Sequence, residues 1–322
     1  MKALVYDNGL KLDNNYPMPK ISDDEVLIKT TMVGICNTDY EITQGYMGYK
    51  GVLGHEFVGK VVEVGKNCSK NLLNKRVVGE INCACNSCSY CAQNLQRHCP
   101  NRSTLGIWKK DGCFSEFFTL PKENVIEISD NIDDITATFT EPLAAAYEIL
   151  EQVHIKPDSK VALLGDGKLG LCISLVLSAL NVDFIHIGKH ENKLQISKNV
   201  GAKTMLLNEL KETDRKTFDI VIEATGSKGG FETSVSLVKP RGTLVLKSTI
   251  AASEGLNLAS IVVDEINIVG SRCGQFRPIL RLLEKGKIDP KPLVEAVYDV
   301  DDFKNAFEKN TMKNVLKVLV KF

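Results

Sequence analysis

The chain has 322 residues, of which 43% are hydrophobic and 25% charged, as in an ordinary globular protein long enough for two domains. Basic and acidic residues each number 40, so the sequence predicts neither a nucleic-acid nor a membrane partner. Residues 1–6 read directly as a strand, without a charged and apolar leader. With ten cysteines and no leader, the sequence predicts a cytoplasmic protein whose thiols bind metal or lie buried instead of forming disulfides.

Residues 1–143 carry the pattern of a domain built from short strands and glycines. Alternating apolar residues predict strands at residues 25–33, 58–64 and 76–80, separated by glycine and polar loops. No internal repeat or low-complexity segment interrupts this region. It is therefore predicted to be a mainly β domain.

A thiolate, an imidazole and a carboxylate lie at the ends of the first two of these strands. Cys36 follows the first strand, and His55 and Glu56 precede the second. This mixture of donors suits zinc, and a zinc with three protein ligands keeps an open position for substrate. We predict a catalytic zinc held by Cys36, His55 and Glu141, with Glu56 able to coordinate when ligands exchange. The alternative is that Cys36 is a buried apolar residue and His55 a core histidine.

Four more cysteines follow at the close spacing of a structural zinc site. They lie within residues 83–100, which we predict to form a small lobe of the first domain. Four thiolates complete a tetrahedral shell and leave no open position, whereas a reactive dithiol would need only two. The predicted ligands of this structural zinc are Cys85, Cys88, Cys91 and Cys99.

From residue 144 the pattern changes to alternating strands and helices, which predicts a doubly wound parallel sheet over residues 144–272. Strands are predicted at residues 160–164, 183–187, 204–207, 219–223, 242–247 and 266–270. A glycine-rich turn between the first strand and an amphipathic helix lets the backbone approach a dinucleotide pyrophosphate at the helix N-terminus. The predicted cofactor-binding residues are Gly165, Gly167, Lys168, Leu169, Gly170 and, after the fourth strand, Thr225.

The end of the second strand predicts a preference for NADP over NAD. In NAD-binding domains an acidic residue about 20 positions beyond the glycine motif binds the ribose 2′-hydroxyl. Here Gly188 follows the predicted strand, and Lys189 and His190 offer positive charge for a 2′-phosphate. Both could instead be solvated loop residues, and Glu191 could still reach the ribose if the strand ended later.

Residues 273–322 return to the first domain. They are predicted to form helices at residues 276–285 and 301–309 and a last strand at residues 315–320.

Residues 34–39 and 54–59 resemble the signature of the zinc-containing medium-chain alcohol dehydrogenases, and this resemblance covers essentially the whole chain. It implies an α/β protein with a GroES-like β-barrel-type catalytic domain and a Rossmann domain. It also implies two zincs per chain and a homodimer or homotetramer. In polyol dehydrogenases of this family, the glutamate matched by Glu141 is a zinc ligand, although Glu141 could equally be a carboxylate that stabilises a helix N-terminus.

The resemblance also assigns roles around the predicted catalytic zinc. Thr38 matches the hydroxyl that carries the substrate proton away, and Asp39 matches the carboxylate that orients the ligand histidine. The chain departs from the family at Glu41, where many members have a histidine at the outer end of the proton path. Either Glu41 ends this path or the proton leaves through water.

The leading hypothesis is therefore a zinc-dependent alcohol or polyol dehydrogenase that uses NAD(P). A carbonyl reductase in a biosynthetic pathway is the alternative within enzymes, since the direction of a reversible reaction is not encoded in these motifs. A non-catalytic redox sensor that binds zinc and dinucleotide is the alternative outside them.

Overall fold

The computed structural model describes residues 1–249 and 258–322 of the chain, which forms two compact units. Unit 1 comprises Met1–Glu141, Phe276–Lys285 and Val294–Phe322, and unit 2 comprises Pro142–Gln275 and Gly286–Leu293. The junctions fall at 141/142 and 275/276, where the sequence suggests 143/144 and 272/273. The segment that returns to unit 2 was not anticipated from the sequence.

Most of the strands lie in unit 1, and the others form the central sheet of unit 2. They are β1 Ala3–Tyr6, β2 Leu10–Asp13, β3 Glu25–Gly34, β4 Gly51–Val52, β5 Glu56–Val64, β6 Arg76–Gly79, β7 Asn82–Cys83, β8 Ser103–Leu105, β9 Lys109–Lys110, β10 Phe117–Pro121, β11 Val125–Glu127, β12 Val161–Leu164, β13 Phe184–Gly188, β14 Lys203–Leu206, β15 Phe218–Glu223, β16 Val238–Leu246, β17 Asn267–Gly270, β18 Val294–Asp299 and β19 Lys317–Lys321.

The helices of unit 1 have at most nine residues, and the two longest helices lie mostly or wholly in unit 2. They are α1 Asn37–Thr43, α2 Ser89–Ala92, α3 Asp134–Thr138, α4 Thr140–Gln152, α5 Lys168–Ala179, α6 Glu191–Asn199, α7 Lys228–Leu237, α8 Ala259–Val263, α9 Phe276–Glu284 and α10 Phe303–Thr311. Across the described residues, no helix combines the length and the apolar character needed to cross a membrane.

The main sheet of unit 1 has the strand order β11-β6-β5-β3-β19-β18, and β10 also pairs with β3. Strands β3 and β5 run antiparallel, with Gly34 at the end of β3 opposite Glu56 at the start of β5. Strand β19, from the end of the chain, pairs antiparallel with the same end of β3, with Leu319 opposite Gly34. Three segments that are separate in sequence, β3, β5 and β19, therefore meet at this end of β3.

The sheet of unit 2 has the strand order β14-β13-β12-β15-β16-β17 over the described residues, and every pair is parallel. This is the 3-2-1-4-5-6 order of a doubly wound dinucleotide-binding fold, so the prediction of a Rossmann sheet is confirmed. The apolar strand residues, such as Ala162, Leu164 and Val221, are buried in its core. Strand β13 includes Gly188, which lies opposite Leu206, and so extends one residue further than predicted.

Candidate metal centres and dinucleotide site

The first candidate metal centre forms where β3, β5 and α1 meet. Cys36 is the residue before the first turn of α1, Glu56 is the first residue of β5, and His55 immediately precedes it. The Sγ, imidazole nitrogen and carboxylate oxygen of these three residues lie within 4.8 Å of one another. Cys36 is half-buried and the other two are buried, so the thiol marks the more accessible side of the group.

A buried carboxylate holds this group together. Asp39, in the first turn of α1, accepts hydrogen bonds from the N–H of Cys36 at 2.8 Å and of Gly54 at 3.2 Å. Its Oδ1 also lies 3.3 Å from Nδ1 of His55, although that nitrogen makes no hydrogen bond of good geometry. Asp39 therefore ties both ligand-bearing segments together and places a negative charge beside the imidazole.

The electrostatics of this group fit a cation. Burial lowers the pKa of His55, but the charge of Asp39 and contacts with Asp39 and Cys36 outweigh it, so this pKa lies well above its ordinary value. A metal needs the imidazole neutral, and its positive charge would take the place of the proton beside Asp39. With a thiolate and a carboxylate as the other donors, the group fits zinc.

Glu56 has a second partner that the sequence analysis missed. Its carboxylate accepts hydrogen bonds from Nζ of Lys317 at 2.8 and 2.6 Å, and Lys317 also donates to the carbonyl of Ile35 at 3.4 Å. Glu56 is 1% exposed and Lys317 3% exposed. Lys317 begins β19, so only the pairing of β19 with β3 brings it to the site, and no local motif could have indicated it.

Three other residues predicted at this centre, Glu141, Thr38 and Glu41, are not part of the compact group of ligand atoms. Glu141 is half-buried in the first turn of α4, and the compact group of ligand atoms contains Glu56 but not Glu141. Thr38 is half-buried in the first turn of α1, and the carboxylate of Glu41 accepts a hydrogen bond from Asn37 at 2.9 Å. The roles of Glu141, Thr38 and Glu41 stay predictions.

The second candidate metal centre is the four-cysteine lobe. The four Sγ atoms lie within 4.8 Å of one another, with separations of 3.5 Å for Cys88–Cys91, 3.5 Å for Cys85–Cys99 and 3.7 Å for Cys88–Cys99. A tetrahedron of thiolates about 2.3 Å from a zinc has edges of about 3.8 Å, which is close to these separations. The geometry therefore fits a closed, tetrahedral site.

The thiols of the lobe have unlike surroundings. The backbone N–H and the hydroxyl of Ser87 are the main causes that lower the pKa of Cys85 to about 5. Burial is the main cause that raises the pKa of Cys91 to about 11. Cys85 thus supplies a ready thiolate, while a bound cation would have to stabilise the thiolate of Cys91.

The glycine-rich turn of unit 2 lies between β12 and α5, as predicted. Gly165 has a φ of +117°, which favours glycine, and a Cβ on Gly170 would collide with the carbonyl oxygen of Gly165. Gly167 is open, with no atom within 4 Å of a Cβ placed there. Lys168 and Leu169 begin α5, so the N-terminus of this helix faces the turn where a pyrophosphate is expected.

Two buried side chains that the sequence analysis missed contact predicted cofactor-binding residues: His186 contacts the glycine-rich turn, and Glu223 contacts Thr225 after β15. Ring nitrogens of His186 lie 2.9 Å from the carbonyl of Gly165 and 2.7 Å from the hydroxyl of Ser197. Glu223 accepts hydrogen bonds from the N–H of Thr225 at 2.7 Å and from its hydroxyl at 2.6 Å. His186 lies in β13 and Glu223 ends β15, and both strands are otherwise mostly apolar. A polar residue within such a strand was the sequence signal that could have indicated their role.

The corner formed by Asp166 of the glycine-rich turn and residues 188–190 at the end of β13 contains a contact that the sequence did not predict. Lys189 and His190 lie there as predicted, but their N–H groups donate to the carboxylate of Asp166, at 2.7 and 2.6 Å. Asp166 is the residue between the first two glycines of the motif, and no cofactor role was predicted for it. No acidic residue directly follows β13 in sequence, but the carboxylate of Asp166 lies beside Gly188 from another segment of the chain.

Each of the two units contains a region that matches a known protein family. Residues 22–130 match the model of the alcohol dehydrogenase GroES-like domain, and residues 169–285 match that of zinc-binding dehydrogenases. D-arabinitol dehydrogenase 1 of Uromyces fabae is 30% identical over 344 residues, covering 100% of this chain and 97% of that protein. Sorbitol dehydrogenase of Halalkalibacterium halodurans is 28% identical, with 99% of each chain covered.

Solved structures give the same result. A chain described as a short chain alcohol dehydrogenase of Escherichia coli CFT073, complexed with NADH, has a TM-score of 0.90 at 26% identity. A putative zinc-binding dehydrogenase of Sinorhizobium meliloti 1021, bound to NADP, has the same TM-score and identity. Each comparison covers 100% of this chain and 99% of the other.

Proposed function

This chain belongs to the zinc-containing alcohol dehydrogenases of the medium-chain dehydrogenase/reductase family, and we propose that it exchanges a hydride between a polyol and a nicotinamide dinucleotide. It is an oxidoreductase that acts on alcohols and their carbonyl partners, with a GroES-like and a Rossmann domain. The choice of a polyol is supported by relatives named for arabinitol and sorbitol. The carbonyl reductase is the same chemistry run in the other direction.

The observation that carries the proposal is the convergence of Cys36, His55 and Glu56 beside Asp39. Zinc bound there supplies Lewis acidity that favours the deprotonated form of an alcohol. Cys36 and His55 hold the metal, Asp39 orients His55 and adds negative charge, and Glu141 is proposed as a further ligand. Both oxygens of Glu56 already accept a hydrogen bond from Lys317, so a metal bound there would share this carboxylate with the lysine.

The proposed proton path starts at Thr38 and ends at Glu41. The two residues stand three positions apart in α1, a spacing that places side chains on the same face of a helix. The bond from Asn37 holds the carboxylate of Glu41 near the start of the same helix. The Thr38 hydroxyl would accept the substrate proton as it gives its own proton to Glu41 or to water, and Glu41 would release a proton to solvent.

The dinucleotide is proposed to bind along the glycine-rich turn of unit 2. The neighbours solved with NADH and with NADP support a nicotinamide cofactor without selecting one. The preference for NADP, which relied on Lys189 and His190 and on the lack of a carboxylate, stays a prediction. The Asp166 carboxylate beside Gly188 weighs against it.

We also propose a homodimer or homotetramer in the cytoplasm. Strand β17 is the edge of the sheet in unit 2 over the described residues, and apolar residues are exposed around it, with Val262 74% and Val263 78% exposed. Such an edge favours association. A cytoplasmic location suits the free thiols of the lobe. Light scattering that reports a monomer of 35.5 kDa would contradict the oligomer.

A substrate screen tests the function. Polyols including D-arabinitol and D-sorbitol, and the corresponding ketoses, are assayed with each cofactor by the absorbance of the reduced dinucleotide. We expect turnover of at least one polyol, and its loss in Cys36→Ser. Reversible dinucleotide binding without any turnover, together with a single tightly held zinc, would favour the redox sensor instead.

A further inference from the structure

A buried carboxylate occupies the corner between the glycine-rich turn and the end of β13. Oδ2 of Asp166 accepts three hydrogen bonds, from the N–H of Lys189 at 2.7 Å, from the N–H of His190 at 2.6 Å and from Nδ1 of His190 at 3.0 Å. Asp166 is 8% exposed. The turn and the start of α6 are therefore joined through one oxygen of this residue.

The other oxygen of Asp166 is differently placed. Within the described residues no hydrogen bond to Oδ1 is present, and this atom is not among the buried polar atoms that lack a partner. It therefore keeps some access to solvent in an otherwise buried side chain. A carboxylate oxygen with free lone pairs at this point can accept a hydrogen bond from a ligand hydroxyl.

Asp166 fills the volume that a side chain at the end of β13 would take. A Cβ placed on Gly188 would lie 2.7 Å from both Cβ and Oδ2 of Asp166. In dinucleotide-binding domains the acidic residue at the end of the second strand binds the adenosine ribose from this position. Here strand β13 ends in glycine, and the carboxylate reaches the same space from the turn.

The carboxylate is also charged. Burial alone would raise the pKa of Asp166, but the N–H groups of His190 and Lys189 and the His190 side chain together hold it below its ordinary value. These partners are fixed by the start of α6, so the charge persists at neutral pH. A dianionic 2′-phosphate at this corner would face a neighbouring negative charge in a partly dry setting.

We propose that Asp166 is the specificity-determining residue for the dinucleotide, accepting a hydrogen bond from the ribose 2′-hydroxyl and disfavouring a 2′-phosphate. The protein then prefers NAD, which reverses the preference predicted from Gly188, Lys189 and His190. His190 points Nδ1 at Asp166, so that atom is engaged before any phosphate arrives. The inference depends on the proposed function only in requiring that a dinucleotide binds to this turn.

Binding of two adenosine nucleotides to the full chain tests this without any turnover. Calorimetry at fixed ionic strength gives the affinity for 5′-AMP and for adenosine 2′,5′-bisphosphate, which differ by the 2′-phosphate. We expect wild type to bind 5′-AMP at least as tightly as the bisphosphate. Asp166→Asn keeps the shape but removes the charge, and should shift the affinity ratio towards the bisphosphate by about tenfold or more.

Two controls remove one negative charge elsewhere in the same unit. Asp183→Asn acts at the exposed start of the second strand, in a pair with Lys203, and Glu191→Gln acts at the first residue of α6. Asp183→Asn should leave the affinity ratio within about twofold of wild type, because this exposed carboxylate pairs with Lys203. Glu191→Gln should do the same, because the hydrogen bonds at Asp166 come from Lys189 and His190, and it also tests the alternative that Glu191 binds the ribose. Asp166→Ala/Gly188→Asp moves the carboxylate to the strand end and should restore the wild-type ratio.

Three results would overturn the proposal. The first is a wild-type protein that binds the bisphosphate tenfold more tightly than 5′-AMP, a result that needs no folded variant. The second is an affinity ratio in folded Asp166→Asn that equals the wild-type ratio. The third is a shift of the affinity ratio in Glu191→Gln as large as that in Asp166→Asn. If neither NADH nor NADPH binds wild type, the proposed function itself is contradicted, and the inference falls with it.

Discussion

The two candidate metal centres differ in how the chain gathers their ligands. The thiols of the lobe come from one short segment between Cys85 and Cys99, and they lie close together without help from distant elements. The first centre instead takes Cys36 from the end of β3 and His55 and Glu56 from the start of β5. The difference indicates that the lobe can act as a closed unit, whereas the open centre depends on the sheet around it.

The surroundings of the two centres differ in the same way. Asp39 connects the ligand segments of the open centre, and Lys317 supplies a buried positive charge to Glu56. In the lobe, the contacts to sulfur come from residues close in sequence, such as Ser87 within the lobe and Asn101 just after it. We therefore expect substitutions to separate chemistry from stability according to the centre they affect.

The largest effect on turnover is expected for Cys36→Ser. A serine hydroxyl is a poor replacement for a thiolate ligand, so activity should fall by at least about 10³-fold because the metal no longer activates the alcohol. The melting temperature and NADH binding should stay near wild type. The matched control is Cys68→Ser, at a buried cysteine outside both centres, which should keep activity. Near-full activity in Cys36→Ser would disprove the assignment.

The largest effect on stability is expected for Cys91→Ala. Removing one thiolate opens the closed site, and the folding free energy supplied by its metal is lost, which should lower Tm by roughly 10 °C. Zinc content should fall by one per chain. Cys83→Ala is the control, because this buried cysteine lies outside the four-thiol group. An unchanged Tm with unchanged zinc content would show that the lobe is not a metal site.

A smaller effect on stability is expected for Lys317→Met. Removing one partner of a buried ion pair leaves the charge of Glu56 uncompensated, which destabilises a protein by about 3–5 kcal/mol. Denaturant unfolding measures this loss, with exposed Lys321→Met on the same strand as the control. Lys317→Met/Glu56→Gln should recover part of it. Equal stability of both lysine variants would show that the pair contributes nothing to this centre.

The smallest effect is expected for Asp39→Asn. The amide keeps the size of the side chain but removes the charge beside His55, which should weaken zinc at the open centre by about 10- to 100-fold. The affinity of the lobe for its metal should not change. Competition with a chromophoric chelator measures both sites, and the exposed Asp130→Asn serves as the control. A weakening shared by both sites would mean that Asp39 acts on the fold as a whole.

The sequence predicts local features well and distant ones poorly, for physical reasons. The four cysteines lie within one short segment, and the turn from Gly165 to Gly170 is another. In each case the spacing along the chain is enough to bring the residues together. Lys317 reaches Glu56 only because β19 pairs with β3, which no local pattern encodes. Asp166 occupies a position between two glycines of the motif where the motif specifies no residue type. Only the geometry of the turn reveals that its carboxylate lies beside Gly188.

Zinc content during chelation tests the central claim most directly, because that claim is one open centre and one closed centre in a single enzyme. Wild type should contain two zincs per chain. A mild chelator should remove one of them together with activity, while Tm changes little, and added zinc should restore the activity. A chain that holds one zinc, or that keeps its activity after the exchangeable zinc has been removed, would contradict this account.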